Sequence, residues 1–414
     1  MPHPFLSYPH RSPYAIPFTC AAASRDGTRH SLYTPDAVNE TVYSSRPEKL
    51  IINHNGRQPA RKGGALRSIV RTPPRLVEDG RVVEFGAFSE PFRELNLDQA
   101  DIFRLGGRSP RALTRYRLKE WQHFGVIHPH HYLGLVIFNA KFMGVSFVYH
   151  YDRERGTRVE HSRQGTAGKA VVAETTWRGE CSYESRGYSI HIHNRLEEGY
   201  HRVEVDAAQS RELPGIRGEF RMLEDVSIFQ PLVVVSPFSP NRPLYTHKAA
   251  CPVEGRITVG DEVIELDPER DVCLLDEQKA FYPYSSFWRW MTFGGYAPDG
   301  ALIAANLCHN NISGDEEYSE NCYWVGGEIR LTGAARFGYS EADILGPWFV
   351  NTTDGLVDVD FHPQGERAER IRVGPILSDF HQPFGLFKGR LGKDEDAVEV
   401  RDLFGLCEQH ITRY

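Results

Sequence analysis

From Tyr132 onward, apolar residues alternate with polar ones or gather in short runs closed by glycine, proline or charged breaks. Such runs predict strands at Tyr132–Asn139, Val145–Tyr151, Ala170–Trp177, Tyr188–His193, His201–Asp206 and Leu232–Ser236. The second half adds Arg256–Val259, Val263–Leu266, Phe287–Phe293, Ala301–Leu307, Glu328–Thr332, Leu356–Phe361 and Ala397–Leu403. A period of two turns one strand face toward a core, and closely spaced strands without long helical stretches between them suit a sandwich or barrel. Helical periodicity is weak and confined to Glu90–Leu105, where Phe92, Leu95, Ile102 and Phe103 share one side. The three prolines of Pro237–Pro243 cannot join a central ladder and mark an internal boundary. The pattern predicts an all-β chain with lobes over 85–236 and 237–414, preceded by an extension over 1–84.

Composition sharpens that extension. Residues 1–89 hold 10 of the 26 prolines, and the first tryptophan is Trp121. A segment so poor in core-forming side chains cannot offset its ordering entropy, so disorder is expected there, with folding beginning near Val82–Phe92 and residues 1–80 dispensable. The same 89 residues carry 12 Lys+Arg against 7 Asp+Glu, leaving 36 against 48 in the body, for a net charge of -7. An acidic body argues against a nucleic-acid partner, which would select a basic face. No apolar run approaches the ~18 residues of a membrane span. Seven scattered cysteines, odd in number and without a C-x-x-C pair, suit reduced thiols rather than a disulfide framework. The opening Met1–Leu6 shows no apolar stretch after a basic start, so a cytoplasmic location is expected.

The signatures G-x-S-x-G, H-E-x-x-H, G-x-x-x-x-G-K-[ST] and G-x-G-x-x-G are absent, which removes the common serine hydrolase, zincin, P-loop and Rossmann chemistries. Neither a nucleotide nor another organic cofactor is expected. The richest segment is Asp276–Trp290, where aromatic rings crowd around a few ionisable groups, the make-up of an apolar pocket with convergent polar groups. Trp288 and Trp290 would share one strand face, and Tyr282 and Tyr284 bracket Pro283. Asp276 follows the apolar run Val272–Leu275 and Glu320 follows the loop 313–319, so each should sit at a strand end beside aromatics. Acid–base work on an apolar molecule needs an acid held near neutrality by burial, and these two are the leading candidates. Lys248, next to His247, could polarise a carbonyl or pair with one of them; Glu120 beside Trp121 is a fourth catalytic candidate. Each has a plain structural alternative: a turn cap, a strand-end hydrogen bond, core packing for the indoles. His191 and His193 share a strand face but lack a neighbouring third ligand, and His128–His131 lies far along the chain, so no metal site is expected.

Several pieces occur in an ordered series: Leu118-Lys-Glu-Trp121; Lys248 with Pro252 and Gly255; Asp276 through Trp290; Asn306; Glu320-Asn321; Pro347-Trp348; Gly355 through Pro363; Gln382-Pro-Phe-Gly385 with Gly389. Over about Leu118 to Tyr414 this series resembles the domain-of-unknown-function family 2804. The chain departs from it at Glu277–Ala280, where Arg-Gly or Lys-Gly is more usual, and in closing on Tyr414 rather than Trp. The family is distantly similar to two-lobed lipocalin-like β proteins, among them carotenoid hydratases, tocopherol cyclase and pericyclase-type cyclases. The resemblance implies a two-lobed lipocalin-like barrel or sandwich holding a hydrophobic small molecule, isoprenoid- or polyketide-like, that is isomerised, cyclised or hydrated without a cofactor. It adds Asn306, Asn321 and Gln382 to Trp121, Tyr282, Tyr284, Trp288 and Trp290 as substrate-binding residues. Two alternatives stay open: a non-catalytic carrier of such ligands, and a carbohydrate-active enzyme with Asp276 and Glu320 as its carboxylate pair.

Overall fold

The computed structural model describes residues 67–103, 107–374 and 376–413. The expectations for residues 1–66 lie outside the described residues. Among the described residues the chain is almost wholly β, in one sheet of fifteen strands and another of nine. The centre of the first sheet is built from β1 (Lys119–Ile127), β2 (His131–Asn139), β3 (Gly144–Asp152), β4 (Arg242–Val259) and β5 (Val272–Ala280), in the order β3-β2-β1-β5-β4. The second contains β6 (Ser285–Tyr296), β7 (Leu302–Asn310), β8 (Cys322–Val325), β9 (Val357–Val373), β10 (Ile376–Leu391) and β11 (Val398–Arg413), in the order β8-β7-β6-β11-β10-β9.

Each sheet curls around a core of its own, giving the two lobes. Phe124, Val126, Cys251, Cys273 and Leu275 belong to the first core, and Met291, Phe293, Trp348, Phe361 and Phe387 to the second. The opposite faces of the same strands meet between the lobes, where Tyr132, Val272, Leu274, Trp290, Phe384 and Leu406 pack together. Strands at this junction are covered on both sides, and every residue of β5 is buried. Burial of both faces replaces alternation by a continuous run, and it forces polar residues on such a strand to find partners inside the protein.

Three boundaries differ from those expected. The change of lobe falls between Ala280 and Ser285, whereas Pro237 and Pro243 face each other in a hairpin of the first sheet, beside an irregular pairing step that tolerates them. Ordered structure begins by Arg67 rather than near Val82: Leu76 and Val77 are fully buried with Phe88, Phe92, Leu95 and Tyr245. Among the described residues of 90–103 no long helix forms; a single turn at Leu97–Gln99 occurs there, and Phe92, Leu95 and Leu97 are buried. The helical turns Arg111–Arg117 and Asp315–Tyr318 are short, and no described helix is long and apolar enough to cross a membrane. All six described cysteines are buried and unpaired.

Candidate functional site

Pairing register sets the site. In the antiparallel ladder, Lys248 on β4 lies opposite Asp276 on β5, which lies opposite His123 on β1. One step along, Thr246, Gln278 and Trp121 form a second row on the same face. Directly opposed residues project to one side, so six side chains converge from three strands. The other sheet answers with two rows of its own: Asn310, Trp288 and His410, then Cys308, Trp290 and Glu408. Between these faces lies a cavity of about 200 Å³. Its outer wall is apolar and includes the half-buried Phe138, Phe142, Met143 and Ile376.

The inner end carries charge. The Lys248 ammonium sits 2.9 Å from Glu320 Oε2 and 3.1 Å from Asp276 Oδ1, and 4.5 Å above the Trp290 ring. Burial alone would depress its pKa, but the two carboxylates outweigh that and raise it, so Lys248 is a fixed cation and unsuited to act as a neutral amine. Gln278 Nε2 donates to Glu320 Oε2 at 2.9 Å and takes a hydrogen bond from the Tyr282 hydroxyl at 2.8 Å. Trp121 Nε1 donates to Asp276 Oδ2 at 3.2 Å, while its ring forms a three-ring cluster with Tyr282 and Trp288. One ammonium thus faces two carboxylates.

Glu408 lies close by and behaves differently. It accepts hydrogen bonds from Trp288 Nε1 and from Gln382 Nε2, the latter held in turn by the Tyr149 hydroxyl. Burial pushes its pKa up to about 7; the two hydrogen bonds oppose the shift and the Asp276 charge adds to it. Both neighbours are N–H donors, so a proton on Glu408 finds no acceptor in them and is free to face the cavity. Two imidazoles also line the space. Burial pushes His123 down to about 4 and His410 down to about 3, so both rings are neutral near pH 7.

The residues singled out from sequence separate into three groups. Asp276, Glu320, Lys248, Trp121, Tyr282, Trp288, Trp290 and Gln382 line the one cavity. Asp276, however, sits within β5 rather than at its end, because the strand continues to Ala280. Asn306 and Asn321 stand behind the wall: Asn306 accepts from Trp290 Nε1 and donates to the Glu320 carbonyl, and Asn321 accepts from the Cys308 amide. Glu120 and Tyr284 lie elsewhere. Alternation on β1 sends Trp121 and His123 to the cavity and Glu120 to the other face, where it pairs with Lys141 and, at 3.6 Å, with Lys279; Tyr284 is exposed on the connection between lobes. Glu408, His123, Gln278 and His410 escaped the sequence reading. The alternation Phe404, Leu406, Glu408, His410, continued past Leu403, is the signal that places two of them.

The reverse face of β4 and β5 carries another buried polar cluster. Glu224 accepts from His201 and His247, each at 2.8 Å, and His247 also approaches Glu277 at 3.7 Å. Burial would lower His247, yet Glu224 and Glu277 raise it to about 9; burial would raise Glu224, yet the two imidazoles lower it to about 2. As for metals, His131, Asp152 and Glu262 bring ligand atoms within 4.8 Å of one another at the sheet edge, but Arg155 already pairs with both acids. His191 and His193 pair instead with Glu184, Glu180 and Glu204.

No curated protein matches the chain. Among solved structures, CghA with Sch210972 is similar at 10% identity and a TM-score of 0.46, covering 72% of this chain and 88% of that one. Kievitone hydratase from Nectria haematococca is similar at 10% identity and a TM-score of 0.38, with the same coverage. The family described as domain of unknown function DUF2804 matches residues 67–414, and the chain belongs to it.

Proposed function

We propose that the protein is an acid–base enzyme that isomerises, cyclises or hydrates an apolar small molecule in the cavity between its lobes, without an organic cofactor. One observation carries this reading: a carboxyl poised near pH 7 stands beside a fixed array with one more carboxylate than ammonium, inside aromatic walls. Environments that drive neighbouring carboxyls apart in this way assign an acid and an electrostatic partner. Glu408 gives its proton to an alkene or carbonyl, forming the new C–H or O–H bond. The positive charge left on the ligand is met by Asp276 and Glu320 and by the faces of Trp121, Trp288 and Trp290. The Glu408 carboxylate then takes a proton from the adjacent carbon, which completes an isomerisation or ring closure; in a hydration, water attacks the cation instead and gives its extra proton to the same carboxylate.

The apolar outer wall favours a hydrophobe over a sugar, and Lys248 holds Asp276 and Glu320 as paired anions rather than as a nucleophile and its acid. The test starts from small molecules co-purifying with the protein, identified by mass spectrometry and returned to the enzyme in D2O. Turnover should place deuterium in the product, survive EDTA and fail with Glu408→Gln. A recovered ligand that the native protein holds unchanged would make this a carrier.

A further inference from the structure

The outer wall of the cavity would suit a hydrocarbon, but its inner end would not. His123 is 5% exposed, and neither ring nitrogen has a hydrogen-bond partner among the described residues. Asp276 is its neighbour across the ladder, yet Asp276 Oδ2 accepts from Trp121 and Oδ1, 3.1 Å from the Lys248 ammonium, makes no hydrogen bond; Trp290 meets the imidazole edge-on at 6.3 Å. From the opposite sheet, His410 ties Nε2 to Ser378 Oγ at 2.8 Å and leaves Nδ1 shut off from solvent and unpartnered. A neutral imidazole offers one donor and one acceptor, and leaving either unmatched when buried is unfavourable. An apolar ligand would seal in that cost; a ligand with oxygen atoms at the right places would remove it.

From these unmatched groups we infer that the ligand is an uncharged, oxygenated hydrophobe, with a hydroxyl or carbonyl paired to His123 and a second oxygen reaching His410. The inference rests on the cavity being the substrate site and narrows the substrate class. Charge supports the neutral form: two carboxylates already outnumber Lys248, and Arg367 beside them is paired with Glu160 and Glu369, so an anionic ligand would meet unbalanced negative charge.

Calorimetric titration of the full chain with naphthalene, 2-naphthol and 2-naphthoate tests this directly. The native protein should bind 2-naphthol at least tenfold more tightly than naphthalene, and 2-naphthoate most weakly. His123→Leu should erase the hydroxyl preference while leaving naphthalene binding equal or tighter, and His123→Asn should restore part of it. If His123→Leu does not fold, His410→Phe serves the same comparison. Equal affinity for naphthalene and 2-naphthol, a preference surviving both apolar variants, tightest binding of 2-naphthoate, or no binding of any probe would overturn the inference. The readout needs no turnover, so equal affinities would leave proton transfer by Glu408 standing, whereas a failed deuterium experiment would leave the binding preference intact.

Discussion

At the scale of single residues, Glu408 concentrates the chemistry. Glu408→Gln removes a transferable proton at nearly constant shape, so turnover should fall ~10²–10⁴-fold while near-UV circular dichroism is unchanged. The working form is the protonated one, so activity should decline through a single limb as pH rises past about 7. The same shift bears on stability. The folded pKa is raised above the ordinary 4.5, so the contribution of Glu408 is complete below that value and is lost as pH rises through about 7. Urea titrations at pH 5 and pH 8 should therefore show a smaller loss in Glu408→Gln than in the native protein. Asp276, Lys248 and the three tryptophans were legible in sequence because each has an aromatic or charged residue next to it in the chain. Glu408 was not, because Cys407 and Gln409 beside it in sequence lie on the other face of β11 and its true neighbours, Trp288 and Gln382, are far along the chain.

At the scale of elements, β5 explains both what the sequence disclosed and what it concealed. Short strands with one wet face announce themselves by alternation, and Tyr188–His193 lies within the observed strand Tyr188–Arg195. The polar run Asp276–Lys279 follows the apolar Val272–Leu275 as a strand end would, yet its members stay in the strand and are divided between two buried faces, Asp276 and Gln278 toward the cavity, Glu277 and Lys279 toward the first core. The second face has a testable cost. Glu224→Gln would leave the buried His247 imidazolium with a weakened counter-charge, and urea unfolding should show a loss of ~3–5 kcal/mol. The pH dependence has two ends. His247 is raised to about 9, so its contribution is complete below its ordinary 6.5 and is lost as pH climbs through about 9; Glu224 is lowered to about 2, so its contribution is complete above its ordinary 4.5 and is lost as pH falls through about 2. The glycines of the Gln382–Gly389 motif are structural: a Cβ on Gly385 would lie 2.1 Å from the His362 carbonyl of the paired strand.

At the scale of the whole molecule, the start of the described chain is fastened to the site. Arg67 donates to the carbonyls of Asn321 and Thr332 at 3.1 and 2.9 Å, to Ser319 Oγ at 3.2 Å and to the Ser319 carbonyl, gripping the backbone on both sides of Glu320. A protein beginning at Arg67 should keep the stability of the body. One beginning at Arg81 loses this grip together with the buried Leu76 and Val77, and should be weaker by more than about 2 kcal/mol in urea, contrary to the dispensability expected of residues 1–80. The opposed charges between β4 and β5 reach further still. Lys248 meets Asp276 on one face and His247 meets Glu277 on the other. A slip of two residues would keep every side chain on its face, and hydrophobic burial alone would barely resist it. It would also set Lys248 against Leu274 or Gln278, and Asp276 against Ala250 or Thr246, stranding ions in a dry interior. The charges that prepare the cavity for its ligand therefore also proofread the assembly of the sheet, and variants that neutralise them should yield misaligned chains as well as slow ones.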